Sequence, residues 1–146
     1  YLSSHPEYMS RDGWRNSEVA RCSDTVRVFD DLAGKLDALL AEYGYVREGD
    51  HYRVEKESRE TVTFFCHFGV TCAMLAHLWN VSPFILWHSL ALLPTSFTEV
   101  VTEERQKGIA YFRALHVGDT SHLRMGGEAP SFACRFCEVY SDESRH

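Results

Sequence analysis

The stretch TVTFFCHFGV at residues 61–70 decides the expected fold, because six β-branched or apolar residues run without a break into a histidine. Such a run predicts a strand over residues 61–66 that is buried on both faces, as in a parallel sheet. A helical pattern follows over residues 70–79. His67 would then lie at the carboxyl end of a strand, where α/β sheets bind ligands. Gly69 would let the backbone approach a ligand closely, and the helix amides would face an anion such as phosphate.

Length and composition are those of one compact domain. The 146 residues are 45% hydrophobic and 13% aromatic, which is enough for a sizeable core. The net charge is −6, and 15 basic residues scattered among 21 acidic ones provide no basic surface for nucleic acid. Residues 61–98 contain no Asp, Glu, Lys or Arg, but histidines, Asn80 and Pro83 interrupt them, whereas a bilayer span needs about 20 apolar residues in succession. We therefore expect neither a nucleic-acid partner nor a membrane segment.

The cysteines indicate a reducing environment. Their number, 5, is odd, and their mostly apolar settings are typical of reduced thiols, which predicts a cytoplasmic location. Cys134 and Cys137 have CxxC spacing, but no second pair accompanies them. A structural pair on a C-terminal helix is therefore favoured over a metal or redox site, and we expect no metal and no cofactor.

Helical signals flank the central stretch on both sides. Apolar residues recur at helical spacing from an N-cap at Ser23 or Asp24 to a stop at Gly44. Ser82-Pro83 is a favourable N-cap and first-turn pair for a further helix, which Pro94 would end. Two helices are therefore expected after the central strand.

Strand signals are fewer. Residues 45–47 and 51–54 flank Glu48-Gly49-Asp50 and predict a peripheral hairpin or irregular excursion. Residues 96–102 and 109–117 predict two strands joined by a charged turn. The tail from Gly118 predicts a loop and a short helix across residues 129–140.

Together these elements predict an α/β fold, a three-layer sandwich with a mixed, mostly parallel sheet flanked by helices. Only about three strong strands are visible, whereas parallel strands need neighbours reached by crossover connections. The sheet is thus expected to lack its N-terminal strands in this sequence, which also begins without Met.

This order of elements resembles the C-terminal half of a histidine phosphatase, of the phosphoglycerate mutase-like superfamily. The resemblance covers most of the chain from about residue 24 onward and makes residues 1–146 the C-terminal part of a single domain of that kind. The segments that carry it are residues 65–69, 73–78, 94–98, 108–112 and 119–123.

The resemblance implies a phosphate pocket of two histidines and two arginines, in which one histidine attacks phosphorus and is transiently phosphorylated. His67 matches the second histidine, which holds the transferring phosphoryl group, and the backbone of Phe68 and Gly69 would add donors. His122 either lines the site or caps a loop. The Arg-His-Gly motif of the attacking histidine is absent, because Arg-His occurs only at Arg145-His146 without a following glycine.

The predicted function is therefore that of a phosphomonoester hydrolase that acts on a small phosphorylated substrate through a phosphohistidine. Without the nucleophile, residues 1–146 are expected to be inactive alone. Either an upstream half is missing or a natural relative has lost it, and the alternative function is a catalytically dead phosphatase-like binding or regulatory module. A homodimer is compatible with both. From the local pattern alone, His67 could equally be a core histidine bonded to a backbone carbonyl.

Overall fold

The computed structural model describes residues 1–133 and 135–144 of the chain. Short 3-10 turns at the N-terminus precede the α-helices and strands of this part. The helices are α1 (Glu18–Arg21), α2 (Thr25–Glu42), α3 (Phe68–Trp79), α4 (Pro83–Ser89) and α5 (Ser121–Met125). The strands are β1 (Tyr45–Glu48), β2 (His51–Val54), β3 (Phe97–Gln106) and β4 (Ile109–Asp119). They form one sheet in the order β1-β2-β4-β3.

The sheet is antiparallel throughout, so the expected three-layer sandwich with a mostly parallel sheet is wrong. Gly49-Asp50 alone connects β1 to β2, and Lys107-Gly108 alone connects β3 to β4. A two-residue turn can join only antiparallel strands, because a parallel pair needs a crossover of a dozen or more residues. The two hairpins meet where Tyr52 of β2 pairs with Ala110 of β4.

The strand predicted over residues 61–66 is also wrong. These residues form neither a helix nor a strand, and they pair with no strand among the described residues. The predicted burial on both faces is absent as well, since Phe64 is 48% exposed and Phe65 is 97% exposed. A run of strong β-formers becomes a strand only when another strand forms hydrogen bonds with its backbone. The two hairpins pair with each other, through β2 and β4, and not with these residues.

The described chain divides into two compact units. The first comprises Tyr1–Ser89 and Thr102–Arg113, and the second comprises Leu90–Val101 and Ala114–His146. The first unit has two hydrophobic clusters. One is centred on Trp14, whose ring lies 5.1 Å from Phe29 and 5.8 Å from Phe84, centroid to centroid. These contacts join the N-terminal turns to α2 and α4.

The other cluster contains the hairpin that the sequence predicted to be peripheral. Tyr45 and Tyr52 are buried there together with Ala110, and Phe112 packs edge-on against the Tyr52 ring at 5.0 Å. Tyr52 is only 1% exposed. The hairpin itself is confirmed over β1 and β2, but its position at the surface is wrong.

The helix signals at both ends of the central stretch are confirmed. Asp24 is the N-cap residue of α2, although its carboxylate pairs with Arg27 at 2.8 Å and caps no amide. Ser82 precedes α4, where its hydroxyl oxygen accepts from the Phe84 amide at 3.2 Å and its hydroxyl donates to the Tyr8 carbonyl at 3.1 Å. α4 ends at Ser89, five residues before the predicted stop at Pro94.

The tail differs from its prediction. Residues 129–133 and 135–140 contain no helix, so the expected short helix across residues 129–140 is absent from the described part. The CxxC pair cannot be placed as a pair, because Cys134 lies outside the described residues. None of the helices described is long and apolar enough to cross a membrane.

Gly44, the predicted stop of α2, has a backbone conformation that favours glycine. Its φ is +94°, and a Cβ there would lie 2.6 Å from the Lys56 carbonyl oxygen. We expect Gly44→Ala to lower the free energy of unfolding by about 2 kcal/mol or more. Gly34→Ala is the control, because Gly34 is an exposed residue of α2 with no atom within 4 Å of a built Cβ, and it should raise stability by about 0.5–1 kcal/mol. Urea unfolding measures both, and equal stability of the two variants would contradict the turn.

Candidate functional site

His67 directly follows residues 61–66, has an extended backbone conformation and is the N-cap residue of α3. Its carbonyl accepts from the Thr71 amide at 3.0 Å and from the Thr71 hydroxyl at 3.1 Å, which starts the helix. The residue is exposed, so it is not the buried core histidine that the local pattern also allowed. The imidazole is therefore accessible to a ligand from solution.

The N-terminus of α3 has no side-chain cap. Because the first N–H groups of a helix lack partners within it and carry the positive end of its dipole, they attract anions. Gly69 is exposed, and a Cβ there would meet nothing within 4 Å, so the backbone is open to close approach. Phe68 is half-buried beside it. The structure thus brings His67, Phe68 and Gly69 together at one helix end.

His122, the other predicted site residue, belongs to the second unit. It is exposed on α5, and its ring centroid lies 6.4 Å from that of Phe97. His116 is nearby, with its ring 5.8 Å from Phe97 and its Nδ1 3.6 Å from a carboxylate oxygen of Asp119. Hydrogen bonds from the Ser121 hydroxyl and amide lower the pKa of Asp119. His122 therefore lies beside a histidine, carboxylate and aromatic group of its own unit.

No group of three or more His, Cys, Asp and Glu side chains among the described residues is arranged to hold a metal ion. The described cysteines are free thiols, namely Cys22, Cys66, Cys72 and Cys137. Burial raises the pKa of the Cys72 thiol to about 11, so this residue packs as a neutral side chain.

A polar cleft of about 200 Å³ in the first unit was not predicted from the sequence. Its charged lining side chains have both signs, and two of its arginines form ion pairs. Arg15 contacts Asp30 through two nitrogens, at 3.0 and 2.6 Å, and Arg11 pairs with Asp50. The lining residues are Arg11, Asp12, Arg15, Phe29, Asp30, Ala33, Arg47, Gly49, Ala76, His77, Asn80 and Val81.

At His77, which lines the cleft, one carboxylate oxygen joins three elements. Oδ1 of Asp37 on α2 accepts from the Tyr52 hydroxyl of β2 at 2.6 Å and from Nε2 of His77 on α3 at 2.8 Å. The Arg47 guanidinium of β1 lies 4.9 Å from the Tyr52 ring centroid, and it donates to the His77 carbonyl at 3.4 Å and to the Asn80 side chain. We call Asp37, Arg47, Tyr52, His77 and Asn80 the Asp37 network.

The pKa shifts follow from these contacts. Burial works to raise the pKa of Asp37, but the hydrogen bonds from His77 and Tyr52 outweigh it, and the pKa is lowered overall. Burial, and then the bond to the Asp37 carboxylate, raise the pKa of Tyr52. Asp37 is therefore an anion and Tyr52 a neutral donor near neutral pH.

The Asp37 network is better suited to packing than to catalysis. Tyr52 is almost fully buried and its hydroxyl is already donated, so it cannot reach a substrate. Nε2 of His77 bonds the Asp37 carboxylate, and the His77 carbonyl accepts a hydrogen bond from Arg47. A catalytic histidine and carboxylate pair would need a nucleophile within hydrogen-bond reach of the imidazole. The contacts of the network instead connect α2, α3, β1 and β2.

No protein-family model, curated protein or solved structure matches this chain. The comparisons therefore identify no family. The resemblance to the histidine phosphatases stays a prediction from the sequence.

The energetic coupling between Asp37 and Tyr52 can be measured with a double-mutant cycle. Asp37→Ala should lower the free energy of unfolding by about 2–3 kcal/mol, because it leaves the buried Tyr52 hydroxyl without an acceptor. Tyr52→Phe should cost about 1–2 kcal/mol, and the double variant less than the sum. Asp31→Ala, which removes an exposed carboxylate of α2 paired with Lys35 at 2.7 Å, should change stability by less than about 0.5 kcal/mol. Additive losses in urea unfolding would show that the bond is not formed.

The lowered pKa of Asp37 also predicts a pH dependence. A carboxyl group whose pKa is lower in the folded state stabilises the fold fully above its unfolded pKa of about 3.9. That contribution is lost as the pH falls through the folded value. Wild type should therefore exceed Asp37→Asn in unfolding free energy by a constant amount from about pH 5 to 7, and by less below about pH 4. A difference in unfolding free energy between the two proteins that stays constant down to pH 3 would contradict the lowered pKa of Asp37.

Proposed function

We propose that the N-terminus of α3 binds the phosphate group of a small phosphorylated substrate, with His67 as its side-chain donor. The chain would contribute this phosphate-holding part to a phosphomonoester hydrolase. The proposal rests on one observation: His67 is exposed at the uncapped N-terminus of a 12-residue helix. The resemblance of residues 65–69 to the histidine phosphatases, drawn from the sequence, also supports it.

The binding chemistry has two parts. The amides of Phe68 and Gly69 would donate to phosphate oxygens at the positive end of the helix dipole. A protonated His67 would add a charge-assisted hydrogen bond, and a phosphate dianion beside it would favour the imidazolium form. The exposed Gly69 leaves room for this contact.

During phosphoryl transfer, His67 would hold an oxygen of the transferring group while charge redistributes between the attacking and leaving atoms. Preorganised donors of this kind are the main catalytic contribution in such reactions. The attacking histidine of the resembling family has no counterpart motif in residues 1–146. On this proposal the isolated chain binds phosphate and does not turn over a phosphomonoester.

A binding or regulatory module is the second candidate, and the absence of an Arg-His-Gly motif from the sequence favours it. Both candidates predict phosphate binding at α3. The sequence encoded upstream of Tyr1 distinguishes the two candidates, because only the hydrolase requires a nucleophilic histidine there. The free thiols accord with a cytoplasmic location, which we include in the proposal.

A titration with inorganic phosphate at constant ionic strength tests the site by ¹H–¹⁵N NMR. The Phe68 and Gly69 amides should shift together and saturate with a Kd on the order of 1–10 mM, as expected for a few exposed donors. His67→Ala should weaken binding by about fivefold, which corresponds to the loss of about 1 kcal/mol.

The matched control is His88→Ala. His88 is also an exposed helix-terminal histidine, but it lies in the last turn of α4, where its Nδ1 bonds the Phe84 carbonyl at 2.8 Å. Because a helix C-terminus repels anions, this variant should bind phosphate as wild type does. Amides at residues 68–69 that do not respond to phosphate, or equal affinities of the two alanine variants, would remove His67 from the proposed site.

A further inference from the structure

The Arg47 guanidinium lines the polar cleft of the first unit and bonds only neutral acceptors in the described part of the chain. Its Nε donates to the Gly49 carbonyl at 2.8 Å, and its terminal nitrogens donate to the His77 carbonyl at 3.4 Å and to the Asn80 side chain. A guanidinium has more N–H donors than these bonds use, so donors remain for a ligand. The group is held in place while its charge stays without an ion-pair partner.

Asp37 does not neutralise this guanidinium by direct contact. The Arg47 charge helps to lower the pKa of Asp37, but Oδ1 of that carboxylate accepts from the Tyr52 hydroxyl and from His77. A carboxylate that enters the cleft would therefore give Arg47 a charge-assisted hydrogen bond that the described protein groups do not supply.

The other charged side chains at the cleft are paired with one another or with Asp50. Arg15 holds Asp30 through two nitrogens and lies 4.0 Å from a second carboxylate, that of the exposed Asp12. Arg11 pairs with Asp50. The carboxylates of these pairs thus compensate Arg11 and Arg15, and the positive charge of Arg47 is the one open to an anion among the described arginines of the cleft.

The rest of the lining is suited to a short hydrocarbon chain. Four apolar side chains contribute to it, namely those of Phe29, Ala33, Ala76 and Val81. The volume of about 200 Å³ corresponds to about six or seven water molecules, and clefts for drug-sized ligands hold about 300–1,000 Å³. The cleft therefore has room for only a few non-hydrogen atoms beyond a carboxylate.

We propose that the cleft binds a short aliphatic monocarboxylate of about four carbons. The carboxylate accepts from the Arg47 guanidinium, whose fork of donors matches its two oxygens, and the hydrocarbon chain contacts Phe29 and Ala33. Ala76 and His77 belong to the last turns of α3, where the helix dipole is negative, so a monoanion is favoured over a phosphate dianion.

This site is separate from the proposed phosphate site and does not rest on it. His67 and Asn80 cap opposite ends of α3, and 13 residues separate them. At about 1.5 Å per residue, the two helix ends are about 20 Å apart. A ligand at one end of α3 therefore cannot contact the other end directly.

A titration with sodium butyrate at constant ionic strength tests the proposal by ¹H–¹⁵N NMR. The amides of Gly49 and Val81 and the side-chain amide of Asn80 should shift and saturate with a Kd on the order of 10 mM. Butyramide has the same chain without the charge and should bind at least tenfold more weakly. Acetate keeps the charge without the chain and should bind about tenfold more weakly. Equal affinities of butyrate and butyramide, or butyrate shifts confined to residues 68–69, would overturn the proposal.

Arg47→Gln should weaken butyrate binding at least tenfold, because the amide cannot form a charge-assisted fork. Arg53→Gln is the matched control. Arg53 is an exposed arginine of β2 that pairs with Glu55 at 2.7 Å and does not line the cleft, so this variant should bind butyrate as wild type does. Wild-type affinity in Arg47→Gln would contradict the site.

Ala33→Leu tests the cleft without changing Arg47. The larger side chain should fill the space for the hydrocarbon chain and weaken butyrate binding at least tenfold. Ala41→Leu, at an exposed position of the same helix, should leave the affinity unchanged. Urea unfolding of all four variants shows that each is folded, and Ala33→Leu decides the matter should Arg47→Gln not fold. Butyrate binding to Ala33→Leu with wild-type affinity would overturn the proposal, whatever the phosphate titration shows.

Discussion

The buried hydroxyl of Tyr52 must have a hydrogen-bond acceptor, and the carboxylate of Asp37 provides it. A buried donor without an acceptor costs more than a formed hydrogen bond contributes, so this requirement constrains where β2 can lie on α2. His77 donates to the same oxygen, which ties α3 to the pair. Because Tyr52 also pairs with Ala110, the position of β4 in the first unit follows from the same contact. The first unit is therefore organised around one polar contact between apolar clusters.

Local signals predicted most of the elements. The boundaries of α2 follow from Asp24 and Gly44, and both hairpins follow from short turns between β-forming runs. The sheet type was predicted wrongly because residues 61–66 received more weight than the turns. A continuous apolar run is only consistent with a parallel strand, whereas a two-residue turn excludes a parallel pair altogether. The turn is the stronger constraint because it is geometric.

The candidate site was predictable only in part. His67 could be singled out from the sequence because its setting depends on sequence neighbours, namely an apolar run before it and a helix after it. The Asp37 network was missed, although Asp37 lies four residues after Ala33 on the buried face of α2, where a carboxylate requires a partner. Its partners are 15 and 40 residues away in the chain. Such separations are set by tertiary packing, so no spacing rule could have paired them.

The loss of the predicted strand changes what supports a phosphate site at His67. In the predicted fold, the site depended on a strand end in a parallel sheet. In the structure, the proposed site depends on the N-terminus of α3, whose amides and dipole are present whether or not residues 61–66 pair with another strand. Strand formation there is therefore a property of the available partners and not of the six residues alone, while the anion-attracting end of the helix is intrinsic to the chain.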